Sequence, residues 1–254
     1  MSLFDLSGKS AIVTGASSGL GAQFAKVLAR QGANVAIVAR RVEKLEAVAK
    51  EIEAFGVKCL PIRCDVLNND DIRNAVAKVK DEFGRIDILV NNAGVARSAS
   101  AQTQSDDDWK VVIDTNLNSV YFFAREVGKV MIEQRYGRII NLGSIHSRVG
   151  MLSSGLSGYC TAKGGVLMLT RQLAVEWAQY NITVNAIGPS YFRSEMTAKV
   201  SENPKFAQIL SAYCPMGRFG NEGELDGALI YFASDASSFT TGQLLNIDGG
   251  WTAI

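Results

Sequence analysis

Histidine is almost absent from this chain, and cysteine and proline are sparse: one His, four Cys and four Pro stand among 254 residues. A lone His146, with Cys59, Cys64, Cys160 and Cys214 free of any Cys-x2-Cys pairing, offers neither zinc-ligand spacing nor a disulfide framework. No metal is expected, and the cysteines read as reduced packing residues. Excess charge of one sign is also missing. The formal net charge is +1, with acidic and basic residues interspersed, so no field exists to hold a polyanion and nucleic acid is excluded as an expected partner. No apolar run approaches bilayer-spanning length, and the start from Met1 to Leu6 lacks the basic and apolar segments of a signal peptide. The expectation is a cytoplasmic protein with no membrane partner. With no repeat, low-complexity stretch or linker, and 47% apolar residues to build a core, a single domain over residues 1–254 is expected.

What the chain does have is a strand, a glycine turn and a helix in immediate succession. The apolar run Ser10 to Thr14 passes into Gly15-Ala16-Ser17-Ser18-Gly19-Leu20-Gly21 and then into Phe24, Ala25, Val27 and Leu28 at helical spacing. In such a unit the first glycine makes the tight turn, the second admits a ligand close to the backbone, and the third lets the helix lie against the strand. The helix start then presents free N–H groups and a positive dipole end, which suits a pyrophosphate.

Strands and helices alternate onward. Asn34 to Ala39 is a strand, and Leu45, Val48, Ala49, Ile52 and Phe55 mark a helix from Val42 that stops at Gly56. Lys58 to Arg63 is the third strand, Ile72 to Phe83 a helix closed by Gly84, and Ile86 to Val90 the fourth strand, running into Asn91-Asn92-Ala93-Gly94. One long helix is expected from about Asp106 to Arg135, a strand at Arg138 to Leu142, a helix from about Tyr159 to Tyr180 and a strand at Thr183 to Ile187. Strands this apolar, alternating with helices, call for an α/β fold: a doubly wound, Rossmann-type parallel sheet of about seven strands with helices on both faces. Ligands bind such sheets at the C-terminal strand ends, where Gly15, Arg40, Asp65, Asn91 and Ser144 fall.

Tyr159 and Lys163 are four residues apart, hence on one helix face about one turn distant. A free tyrosine titrates near ~10, and a nearby cation favours the phenolate and lowers that value, so Tyr159 becomes a candidate acid and base. Ser144, at the end of the preceding strand, can hydrogen-bond the same substrate oxygen. His146 follows two residues later, but with no acidic partner or nucleophile elbow a Ser/His hydrolase is not indicated.

Taken together, the ordered motifs resemble those of the short-chain dehydrogenase/reductase family over nearly the whole chain: TGxxxGxG at Thr14 to Gly21, NNAG at Asn91 to Gly94, the strand-end Ser144 and YxxxK at Tyr159 to Lys163. The resemblance implies a catalytic set of Asn116, Ser144, Tyr159 and Lys163. In it Tyr159 moves the proton, Ser144 holds the carbonyl oxygen, Lys163 lowers the tyrosine pKa and binds ribose, and Asn116 supports a water-linked proton path. It also implies cofactor contacts from Gly15, Ser17, Ser18, Gly19, Leu20 and Gly21, from Asp65 and Val66 at the adenine edge, from Asn92, Ala93 and Gly94, from Tyr159 and Lys163, and from Pro189 and Ser194. Ser144 and Tyr159 lie further apart than is usual in the family, so the intervening loop is expected to be longer over the substrate.

The cofactor expected is NADP(H). An NAD site commonly carries an acidic residue about twenty positions after the glycine motif; this chain has Ala39 there, followed by Arg40 and Arg41, whose guanidinium groups suit a 2′-phosphate. The segment of about 190–217, with Tyr191, Phe192, Met196, Val200, Phe206, Ile209, Leu210, Tyr213 and Met216, is expected to cover the substrate, joined by Met151, Leu152 and Leu156. Such apolar walls favour a bulky ketone or alcohol such as a hydroxysteroid; a sugar acid of the ketogluconate type or a 3-oxoacyl thioester is the alternative. Ser144, His146, Tyr159, Tyr191 and Met196 are the candidate substrate contacts. A rival of another class is a regulatory protein that binds NADPH without chemistry. Two helices apolar on nearly all sides, around Leu117 to Met131 and Val166 to Trp177, point to a homo-oligomer, expected to be a tetramer.

Overall fold

The computed structural model describes residues 3–151, 155–193, 197 and 204–254. Seven parallel strands form one sheet in the order β3-β2-β1-β4-β5-β6-β7. They are β1 (Ser10–Thr14), β2 (Asn34–Ala39), β3 (Cys59–Arg63), β4 (Ile88–Asn91), β5 (Gly137–Leu142), β6 (Ile182–Pro189) and β7 (Leu244–Ile247). The chain builds outward from β1 to β3, crosses back and continues through β4, so the winding reverses between β1 and β4. A doubly wound sheet of the Rossmann type binds its ligand at that reversal.

Period-two alternation divides the strand side chains between two helical layers. Ala11, Val13, Val35 and Ile37 pack under α1 (Gly19–Arg30), α2 (Val42–Glu53) and α8 (Asp226–Ala233), with Phe24, Leu45, Ile52, Leu229 and Phe232 filling that layer. Ile12, Ala36, Val38 and Leu89 face the opposite way, onto α3 (Asn69–Phe83), α5 (Ser119–Gln134) and α6 (Ser157–Trp177). Each fully buried aliphatic or aromatic side chain in these layers contributes about 1.5–3 kcal/mol. Local signals agree with the packing. Asn68 caps α3 by accepting the N–H groups of Asp70 and Asp71, and Gly84 ends the helix at φ 74°.

The expected helix from Asp106 to Arg135 is broken. α4 (Asp106–Ile113) gives way to a π-helical turn, Asp114–Asn118, before α5 begins. The apolar periodicity runs on through the break, so only the extra residue in the turn marks it. α6 starts at Ser157 and ends at Trp177, with a 3₁₀ turn from Ala178 to Tyr180 where a continuous helix was expected. A helix α7 (Pro204–Tyr213) lies before the Cys214-to-Gly217 turn. Among the described residues no helix is long and apolar enough to cross a membrane, and no three His, Cys, Asp or Glu side chains are grouped to hold a metal ion.

Candidate active site

The site begins where β1 and β4 end side by side. The hydroxyl of Thr14 accepts the backbone N–H groups of Asn92 (3.0 Å) and Ala93 (3.1 Å), and the Asn92 amide donates to the carbonyls of Thr14 (3.0 Å) and Gly15 (3.3 Å). These bonds tie the glycine turn to the Asn91-to-Gly94 turn. Gly15 has φ +67°, and a Cβ on it would stand 2.8 Å from the Ala93 Cα, so only glycine lets the two turns close on each other.

No side chain caps the first turn of α1, since Ser18 is extended and makes no capping bond. Instead, the Arg41 guanidinium reaches the turn and donates to the hydroxyls of Ser17 (3.0 and 3.2 Å) and Ser18 (2.7 Å). Arg40 is exposed beside it. An uncapped helix start, a glycine turn and a cation leaning over two hydroxyls make a cradle of donors, which fits the phosphates of a dinucleotide. Asp65 follows β3 on the same edge, where its carboxylate accepts the Leu67 N–H at 3.1 Å.

On the other side of β4 lie Ser144, Tyr159 and Lys163. Ser144 follows β5 in an extended conformation that opens a 3₁₀ turn, Ile145–Ser147; its hydroxyl accepts the His146 N–H at 3.1 Å, and its own N–H donates to Ser147 Oγ at 3.2 Å. That hydroxyl also acts on the Tyr159 phenol, favouring its ionised form. Lys163, one turn along α6, holds Nζ 5.7 Å from the Tyr159 ring centroid and donates to the Leu142 carbonyl at 2.5 Å.

The electrostatics differ from the expectation that the ammonium would lower the tyrosine. Burial pushes the Tyr159 phenol up to about 12, with the Ser144 hydroxyl working the other way. Burial brings the Lys163 ammonium down to about 8. Desolvation is the largest cause at both groups, and Tyr159 keeps its proton at neutral pH.

Asn116 owes its place to the π-helical turn. Its amide donates to the carbonyls of Val95 (2.8 Å) and Val112 (2.8 Å), and its Oδ1 accepts the Val95 N–H at 3.1 Å. A Cβ at Gly94 would come 2.7 Å from that oxygen. Asn116 thus pins the chain leaving β4 and spends both donors on backbone.

His146 and Tyr191 join the site as a pair. The buried imidazole places Nδ1 3.1 Å from the Val149 carbonyl and Nε2 3.3 Å from the Tyr191 hydroxyl, with its ring centroid 6.2 Å from that of Tyr159. Pro189 ends β6 two residues before Tyr191. Of the expected apolar wall, Met151 and Phe206 reach Tyr191, the Met151 sulfur 2.8 Å from its hydroxyl and the Phe206 ring centroid 4.5 Å from its own. Phe206 and Leu210 are buried with Ile145, Cys214 and Trp251, Phe192 joins the core under α8, and Met216 and Tyr213 are exposed. Ser194 and Met196, together with Leu152 and Val200, lie outside the described residues.

Two organisers were given no role by the sequence motifs. Thr14 bridges the two turns, and Asn141 links Asn91 (2.9 Å) to Thr170 (3.0 Å), fastening β4 and β5 to the helix that carries Tyr159. Polar residues within otherwise apolar strands were the available signal, because a buried amide needs partners.

Residues 15–252 match a family model described as enoyl-(acyl carrier protein) reductase. Gluconate 5-dehydrogenase of Gluconobacter oxydans is 39% identical over 250 residues, covering 98% of this chain and 97% of the relative. A 3-oxoacyl-[acyl-carrier-protein] reductase of Staphylococcus aureus is 40% identical over 243 residues, covering 95% and 97%. The crystal structure of a gluconate 5-dehydrogenase from Burkholderia cenocepacia, in complex with NADP and tartrate, superposes with a TM-score of 0.95 at 36% identity, covering 99% of this chain and 98% of that one.

Proposed function

Because the chain belongs to the short-chain dehydrogenase/reductase family, we propose that it is an NADP(H)-dependent oxidoreductase interconverting a secondary alcohol and a ketone, on a polar hydroxy acid of the gluconate type. The observation that carries this reading is Tyr159 with Lys163 Nζ 5.7 Å from its ring centroid, beside Ser144 on the same sheet edge as the glycine turn and Arg41. When bound, the nicotinamide supplies or accepts the hydride. The turn from Gly15 to Gly21, with the amides of α1, holds the pyrophosphate. Arg41, with Arg40 beside it, holds the 2′-phosphate, while Asp65 and Val66 border the adenine. Asn92, Ala93, Gly94 and Pro189 line the groove, and Lys163 holds the ribose. In reduction Tyr159 gives its proton to the carbonyl oxygen and Ser144 donates to the same oxygen; in oxidation Tyr159 takes the proton back. Asn116 acts as a positioning residue for the loop after Gly94.

Substrate class follows from what the described residues leave facing Tyr159. Ser144, His146 and Tyr191 are polar, and the apolar side chains of 190–217 are largely consumed in a core, so a hydroxylated substrate suits the site better than a hydroxysteroid. A 3-oxoacyl thioester is the second reading, supported by the Staphylococcus relative. The test is kcat/KM with D-gluconate, a 3-hydroxysteroid and a 3-oxoacyl thioester, each with both cofactors. The expected order is gluconate first and NADP over NAD; turnover of none of them, with NADPH still bound, would leave the regulatory protein as the better account. We also propose a homotetramer of one domain per chain, with Tyr121, Met168 and Val175 exposed on α5 and α6 and Leu245 and Ile254 near the C-terminus as its interface residues. A monomer in sedimentation at micromolar concentration contradicts it.

A further inference from the structure

The hydrogen bonds around His146 have only one consistent proton arrangement. A backbone carbonyl only accepts, so the contact with Val149 puts the ring proton on Nδ1. Burial also holds the imidazole below its ordinary value, which leaves it neutral and Nε2 a bare acceptor. The Tyr191 hydroxyl has one proton. Among the described residues its partners are that Nε2 at 3.3 Å and the Met151 thioether sulfur at 2.8 Å, and the sulfur is the weaker acceptor. The proton therefore goes to Nε2. What the Tyr191 oxygen then offers to the site is lone pairs, and the site is close, since the His146 ring that it bonds lies 6.2 Å, centroid to centroid, from the Tyr159 ring.

We propose that Tyr191 is the hydrogen-bond acceptor for a substrate hydroxyl neighbouring the reacting carbon, and that His146 is the positioning residue that holds it in that role. The inference rests on the alcohol/ketone oxidoreductase reading. It narrows the substrate to molecules with a second hydroxyl beside the one that reacts, because a simple alcohol leaves the Tyr191 lone pairs unanswered. It also assigns His146 a task that needs no charge and no proton transfer.

A single histidine makes the arrangement directly observable, since nitrogen-15 labelled histidine gives one pair of ring resonances. In the parent at neutral pH, Nδ1 is expected to carry the proton and Nε2 to be unprotonated. Tyr191→Phe should shift only the Nε2 resonance and keep the tautomer. A proton on Nε2, or an imidazolium at neutral pH, overturns the proposal. The kinetic arm compares D-gluconate with cyclohexanol. Tyr191→Phe should lower kcat/KM for gluconate about three- to tenfold, mainly through KM, and change cyclohexanol by less than about twofold. His146→Phe should lose the same selectivity, and the double variant should lose no more than Tyr191→Phe alone. Equal losses on both substrates, or additive losses in the double variant, overturn it. A parent that oxidises cyclohexanol but not gluconate overturns the proposal and leaves the oxidoreductase reading standing; a parent that turns over neither, nor a 3-oxoacyl thioester, sinks that reading and the proposal with it.

Discussion

The two ends of the sheet treat charge in opposite ways. At the N-terminal end, Asp87 is fully buried, accepts the Ser10 N–H at 2.9 Å and is clasped by Arg85 at 2.5 Å. Arg138, only 2% exposed, donates to Asp235 at 2.9 Å; Tyr136 donates to the same oxygen, and its ring lies between Lys9 and Arg138. Each buried charge at that end meets its opposite. At the C-terminal end, Lys163 is 4% exposed, and among the described residues it has only a carbonyl to bond. Tyr159 and His146 stay neutral there because burial disfavours their charged forms. The same strands carry both arrangements: β5 begins beside Arg138 and leads to Ser144, and β4 begins beside Asp87 and ends in the turn before Gly94. Charge is balanced within the chain where the sheet is only held together, and left unbalanced where a ligand brings the missing partners.

The comparison can be broken from either end. The largest effect is expected from Tyr159→Phe, which removes the acid and leaves the packing: kcat should fall about a hundred- to ten-thousandfold while the thermal midpoint moves by less than about 2 °C. A variant that keeps most of its turnover would remove Tyr159 from the chemistry. Asp87→Ala should do the reverse. Unpairing Arg85 and the Ser10 N–H is expected to cost about 2–4 kcal/mol in denaturant unfolding, discounted for the half-exposed arginine, with kcat/KM changed less than about threefold. If activity fell in step with stability, the two ends would not be separable. Arg41→Ala sharpens the picture of the ligand as the missing partner. Loss of a charged hydrogen bond of about 1.5–3 kcal/mol should weaken NADPH about ten- to a hundredfold, read as fluorescence titration, and leave NADH almost unchanged.

Much of this was legible in the residues and some of it was not. The glycine turn, six of the seven strands and the Tyr159–Lys163 spacing are local patterns that the sequence places, whereas β7 (Leu244–Ile247) was expected only as a count. The π-helical turn at Asp114–Asn118 is silent in the sequence because apolar periodicity continues across it. Phe206 and Leu210 look alike as substrate wall or as core, and only the tertiary contacts with Trp251 and Cys214 decide for core. Arg40 and Arg41 are adjacent, so spacing alone did not say that Arg41 reaches Ser17 and Ser18. The same holds for Tyr159. Its neighbour at i+4 is visible in the sequence, whereas the burial that raises its pKa belongs to the folded whole.

The smallest effect is the most direct test, because it asks whether the unbalanced charge is carried at the fold's expense. Burial depresses the Lys163 pKa to about 8, below its ordinary value, so the folded state penalises the ammonium, and the penalty is fully present below that pH. The shift corresponds to about 3 kcal/mol, offset by about 1 kcal/mol for the bond to the Leu142 carbonyl. Lys163→Met should therefore unfold about 2–6 °C higher than the parent at neutral pH, while NADP-linked turnover is lost. As pH rises from about 8 toward the ordinary lysine value, the unfolded chain binds the extra proton, the parent gains stability and the gap should close. A variant that is less stable than the parent at neutral pH, or a gap that widens as pH rises, would contradict the account.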